Sequence, residues 1–242
     1  MKRSPLAIIL FVAFVDLIGF GLIIPLQAVY AKRLGATGLT FGLLVGSYAV
    51  MQLIFNPLLG RWSDRVGRRR VLLISIAGSA LSHTLLGVAD LAQSLPLLFI
   101  ARILDGITGA NVATAQAYIA DVTTKEGRAK GMGMFGAAFG LGFVIGPALA
   151  ASLTFVGRRV SGEQYGTAWP AFGAALIAAL ALYLVWRYLP ESRTPSDAPL
   201  SRRRGFGFAG MRDVFGNARL RELLTMIFFA TFAFVLFEVS LV

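Results

Sequence analysis

Seven long apolar runs separated by mostly short polar segments constrain this chain more than any other feature; they lie at 6–28, 39–60, 71–90, 95–120, 131–156, 168–189 and 220–242. A bilayer core of about 30 Å is crossed by around 20 apolar residues rising 1.5 Å each, so every run is long enough to span it as a helix. A water-soluble domain carries roughly 25% charged residues. This chain of 242 residues carries 14%, with 57% hydrophobic residues and a mean hydropathy of +0.73. The surplus has to face lipid. The first run is too long, and too well followed by others, to be only a cleaved signal peptide. The predicted fold class is an all-α integral membrane protein.

Charge gives the expected topology. Lys and Arg total 23 against 12 Asp and Glu, a formal charge of +11. With the N-terminus inside, the inner segments hold Lys2 and Arg3, the cluster Arg61 to Arg70, Lys125 to Lys130, and the arginines of 187–221. The outer segments hold only Lys32, Arg33, Arg158 and Arg159. That asymmetry is the positive-inside pattern of a plasma (inner) membrane protein, and it predicts attraction to anionic lipid at the inner face. A nucleic-acid partner would need a basic docking face with a motif, and none is visible. The chain has no cysteine, which excludes disulfides and thiolate chemistry, and its one histidine, His83, rules out multi-histidine metal centres. No nucleophile–base pair or phosphate-binding glycine loop points to an enzyme, and no cofactor or metal is expected.

Three regions follow: a six-span unit over 1–189, a proline- and arginine-rich cytoplasmic linker over 190–219, and a seventh span over 220–242. A last span with no outer tail reads as the start of a missing C-terminal bundle. A working unit then needs that half or a second chain.

Ionisable residues inside spans are costly unless they face partners or a water-filled cavity. Counting helical rise, Asp16 and Asp105 lie roughly 15 Å deep, near the midplane, Arg102 about 10 Å from the outer end, and His83 about 18 Å from the inner end. Arg102, Asp105, Gly109, Val112 and Gln116 recur on one helical face, as do Asp16, Phe20, Ile23 and Gln27. The two faces are expected to look at each other or at a shared aqueous cavity. Read from the residues alone, they are either substrate and proton machinery or polar glue between helices. In the fifth run, Gly131, Gly133, Gly136, Gly140, Gly142, Gly146 and Pro147 allow tight packing and a kink. Composition does not separate a static bundle from one whose helices rock.

The loop Gly60-Arg61-Trp62-Ser63-Asp64-Arg65-Val66-Gly67-Arg68-Arg69-Arg70 is the strongest local signal. Its glycines permit a sharp reversal and its arginines suit inner headgroups, while Asp64 is expected to pair with neighbouring arginines. Gly60, Asp64, Arg65, Gly67, Arg68 and Arg69 together resemble the signature loop of the major facilitator superfamily. Asp16-x-x-Gly19-x-Gly21-Leu22-x-x-Pro25 resembles the first-span motif of its drug–proton antiporter branch. Arg102-x-x-x-Gly106-x-x-Gly109-Ala110 is similar to the proton-linked motif, and Gly140-x-Gly142-x-x-x-Gly146-Pro147 to the antiporter motif. Ala117 to Asp121, followed by Glu126 and Arg128, resembles the tetracycline–proton antiporters within that branch. The chain departs from the branch at Ala150-Ala151, where a glycine pair is usual, and at His83, where the tetracycline branch has an acid.

The resemblance implies a six-helix bundle built as an inverted 3+3 repeat, with binding at the midplane. It implies that Asp16 and Arg102 serve substrate and proton coupling, with Gln27, His83, Asp105 and Gln116 nearby. It further implies that Asp64, Arg68 and Asp121, with Arg128 adjacent, form an inner gate, and that the span 5 glycines and Pro147 bend. The expected function is proton-coupled efflux of a small hydrophobic or amphipathic compound by alternating access, with protons as partner and a proton gradient as energy source. Alternatives are a proton-linked importer or uniporter of sugars or organic acids, and a non-transporting membrane scaffold.

Overall fold

The computed structural model describes residues 4–192 and 218–240, and its described elements are all helical. In chain order they are α1 (Pro5–Arg33), α2 (Gly38–Val66), α3 (Arg68–Leu91), α4 (Leu95–Thr108), α5 (Asn111–Val122), α6 (Arg128–Ser161), a 3-10 turn (Gly166–Ala168), α7 (Trp169–Tyr188) and α8 (Ala218–Ser240). Six stretches within 5–188 are long and apolar enough to cross a membrane, with α4 and α5 together making one of them. The chain divides into a unit over 1–198 and a second over 199–242. In the second, α8 lies where the seventh run was expected and stacks Phe228 on Phe232 along one side. Most of the expected linker lies outside the described residues.

Local chemistry sets the helix ends. Pro5 opens α1, where its missing N–H costs nothing. The Thr37 and Ser94 side chains accept the N–H groups of Thr40 and Leu97 at the starts of α2 and α4. A single residue, Gly67, joins α2 to α3 at φ +105°, a conformation that L side chains rarely adopt.

Within the first unit, α1 packs against α6 and α7, α3 against α4 and α7, and α2 chiefly against α4. The α1 and α6 backbones approach closely. A Cβ on Gly142 would sit 2.8 Å from the Leu17 backbone, and one on Gly146 would meet the backbone of Gly21 and Leu22. Ala138, Gly142, Gly146 and Ala150 form a buried stripe at four-residue spacing, so Ala150 keeps the stripe narrow without a glycine. The α6 helix runs unbroken through Pro147, and Gly140 faces open space.

Two apolar clusters make up the core. One gathers Ile9, Val12, Leu72, Ile76, Tyr118 and Phe135 towards the face where α1 begins, called here the N-terminal face. The other gathers Leu22, Leu26, Leu44, Leu86, Leu98 and Ala171 towards the far face. Between them along α1, α3 and α4 comes a polar band containing Asp16, Ser79, Ser82, His83, Arg102 and Asp105, all buried. Large apolar side chains such as Leu39, Leu53, Val144 and Leu176 are exposed on the outside, as a lipid solvent requires.

Candidate functional site

The fourth crossing is not one helix. The expected continuous face through Arg102, Asp105, Gly109, Val112 and Gln116 is interrupted, because α4 ends at Thr108 and α5 begins at Asn111. The break brings a residue into play that sequence reasoning missed. Asn111 Nδ2 donates to Asp16 Oδ2 at 2.6 Å, making the uncharged amide, not Arg102, the partner of the buried carboxylate. Among the described residues Asp16 makes no ion pair. A helix interruption is tolerated at such depth only where other groups take up the freed backbone. Gln52 of α2 does part of this, with its Nε2 3.5 Å from the Gly109 carbonyl oxygen.

Arg102 instead pairs within its own helix, with Nη1 donating to Asp105 Oδ2 at 3.0 Å and both side chains buried. Its guanidinium carbon lies 4.0 Å from the centroid of the Tyr48 ring, a cation–π contact from α2. Gly106 permits that contact, since a Cβ there would lie 2.6 Å from the Tyr48 carbonyl oxygen and force α2 away. Gln52 Nε2 also donates to the Tyr48 hydroxyl at 2.7 Å. Among the described residues, His83 Nδ1 and Arg102 Nε of this band have no hydrogen-bond partner, nor does Gln27 Oε1 further along α1. Gln116 is exposed on α5, outside this buried set.

Asp16 and Asn111 border a small pocket towards the N-terminal face, whose other walls are apolar, including Leu72, Ile76, Ala115 and Phe135.

At the N-terminal face the signature loop forms a compact ionic group. Arg68 binds Asp64 one turn before it at 2.6 Å and reaches Asp121, at the end of α5, at 3.1 Å. Its Nη1 also donates to Ser63 Oγ at 3.0 Å. Arg128 donates to the Ala120 carbonyl at 2.9 Å, and Arg65 is exposed. Arg69 donates through Nη2 to the Trp186 carbonyl at 2.5 Å, tying α3 to the end of α7. Glu191 is a further missed participant: its Oε1 accepts the Arg69 N–H at 3.2 Å, capping α3 where Gly67 offers no side chain. Gly60 has open space around it.

A second ionic group lies at the far face, and none of it was expected. Asp90, at the last turn of α3, is fully buried and takes Arg33 Nη1 at 2.6 and 2.9 Å on its two oxygens. Thr167 of the 3-10 turn donates to Asp90 Oδ2 at 2.6 Å and accepts from Arg33 Nη1. Arg33 Nη2 donates to the Gln164 carbonyl at 3.0 Å, and the Tyr30 hydroxyl to the Thr167 carbonyl at 2.7 Å.

A bundle of apolar helices with a buried polar band and ionic groups at both faces defines a multi-pass membrane protein. The major facilitator superfamily model matches residues 9–242, and the chain belongs to that family. It is 44% identical to the class E tetracycline resistance protein of Escherichia coli over 58% of this chain and 35% of that one. It is 34% identical to multidrug resistance protein 1 of Bacillus subtilis over 85% of this chain and 50% of that one. Among solved structures it is similar to the human organic anion transporter MFSD10, with a TM-score of 0.63 and 27% identity over 88% of this chain and 53% of that one. The chain thus spans about a third to a half of these curated relatives. The family is one of transporters, not enzymes.

Proposed function

We propose that this chain is the N-terminal part of a proton-coupled efflux transporter for small hydrophobic or amphipathic compounds, working by alternating access. The observation that carries the reading is Asp16: a carboxylate buried near mid-span, held by one amide at a helix break and, among the described residues, by no cation. Such a group can exchange a proton for a neighbouring ligand without breaking an ion pair. Among the described residues His83 and Arg102 each keep an unpartnered buried atom in the same polar band, as does Gln27 further along α1, and these supply hydrogen-bonding capacity. Relatives described as tetracycline and multidrug resistance proteins support a drug-like substrate. The Asp64–Arg68–Asp121 group serves as the inner gate, and the α6 glycines and Pro147 as the place where the helix bends.

The basic segments put the N-terminus and the signature loop on the cytoplasmic side, where exposed Arg61, Arg65 and Arg70 meet anionic lipid. The energy source is the proton gradient, and a C-terminal bundle or second chain completes the unit.

In vesicles carrying the complete transporter, Asp16→Asn is expected to abolish gradient-driven tetracycline efflux while leaving the protein in the membrane. Efflux at the original rate would reject the assignment. Because the chain has no cysteine, orientation can be read with single cysteines at Arg70 and Gly162. A membrane-impermeant maleimide applied from outside intact cells is expected to label only position 162.

A further inference from the structure

The far-face group does not belong to the polar band or to the signature loop, and its geometry is that of a fixture. We propose that Arg33, Asp90 and Thr167 form a permanent clamp that keeps the far ends of α1, α3 and α7 together as one body while the N-terminal face opens and closes. The proposal rests on the alternating-access reading only in supposing that the opposite face moves.

Saturation is the first argument. Both Asp90 oxygens are occupied, one by Arg33 at 2.6 Å and the other by Arg33 at 2.9 Å and Thr167 at 2.6 Å. Arg33 spends its second nitrogen on the Gln164 carbonyl, so the guanidinium grips the turn backbone as well as the acid. Burial is the second. Asp90 is 0% exposed and flanked by the apolar cluster containing Leu86, Ala89 and Ala171. Opening the clamp would strand a carboxylate with no water to replace its partners, a penalty that an exposed pair does not carry. Backbone contact is the third. A Cβ on Gly157 would lie 2.6 Å from the Gly166 carbonyl oxygen, so α6 touches the same 3-10 turn main chain to main chain. Tyr30, fully buried, adds its own bond to that turn at 2.7 Å.

The clamp also limits where α1 can flex. Pro25 lies eight residues before Arg33, roughly 12 Å along the helix, and cannot donate to the Gly21 carbonyl. Movement of the α1 segment bearing Asp16 is therefore taken up at or before Pro25, and the segment from Tyr30 to Arg33 stays with α3 and α7.

The test uses the cysteine-free 242-residue chain in lipid nanodiscs with nitroxide pairs. Lys32→Cys with Ala92→Cys reports α1 against α3 at the far face; Trp62→Cys with Lys125→Cys reports α2 against the end of α5 at the N-terminal face. Pulsed electron paramagnetic resonance distances are compared in acidic and alkaline buffer, with and without tetracycline. The far pair is expected to hold one narrow distance throughout; a split or shifted far-pair distance overturns the clamp. A motionless N-terminal pair sinks the moving-gate reading instead, and the clamp is then decided by substitution. Asp90→Asn is expected to broaden the far-pair distribution and lower the thermal midpoint by roughly 10 °C. Arg33→Gln combined with Asp90→Asn should regain at least half of that loss, because no charge is left unpaired. If Asp90→Asn does not yield folded protein, Thr167→Val carries the same readout with smaller broadening. Unchanged width and midpoint in the folded variants would overturn the proposal.

Discussion

The two ionic groups at opposite ends of the bundle use similar side chains and differ in what surrounds them. At the far face Asp90 is 0% exposed and Arg33 25%. At the N-terminal face the Asp64 and Asp121 side chains are 51% and 26% exposed, around an Arg68 of 10%. Breaking a pair whose members can turn to water costs little, and such exposed pairs contribute about 0–1 kcal/mol. Removing one member of a buried pair costs about 3–5 kcal/mol because the other charge is left without solvent. The distribution of water, more than the number of bonds, thus makes the N-terminal group the cheaper of the two to break.

Substitutions can break or sharpen this contrast. The largest effect is expected from Asp90→Ala, a loss of about 3–5 kcal/mol read by thermal or denaturant unfolding in detergent. Thr167→Val comes next, at about 1–3 kcal/mol, because it removes a neutral donor from a buried acid that keeps its arginine. The smallest belongs to Asp64→Asn, below about 1 kcal/mol, since the carboxylate it removes is half exposed. Raising salt should erode the Asp64 contribution and leave the Asp90 contribution intact, because only the former lies within reach of screening ions. If Asp64→Asn destabilises as much as Asp90→Ala, or if salt weakens both alike, the contrast fails.

Much of the architecture was legible because hydropathy and charge act over whole helices. Runs of twenty apolar residues marked the first six crossings, and the family resemblance implied the grouping of Asp64, Arg68 and Asp121, which lie within ion-pair distance of one another through Arg68. What escaped was local. The interruption at Gly109-Ala110 was hidden because glycine inside an apolar run reads equally well as packing. Asn111 was overlooked because depth arguments single out ionisable groups, and an amide is cheaper to bury. Asp90 sits at the last residue of its run, where an acid reads as a headgroup residue; only the approach of Arg33 and Thr167, distant in sequence, makes it a buried centre. Glu191 lies past the last of the six crossings and gave no sign of returning to cap α3. Partners brought together by tertiary folding leave no periodic trace along a chain.

The gap between α4 and α5 has a mechanical consequence. A continuous rod transmits a tilt from one membrane surface to the other, whereas two shorter helices meeting at Gly109 and Ala110 transmit it less rigidly. The half carrying Arg102 is tied by cation–π contact to α2, and the half carrying Asn111 is tied to Asp16. Under the proposed proton coupling, loss or gain of charge on that one carboxylate would be felt where the two helices meet.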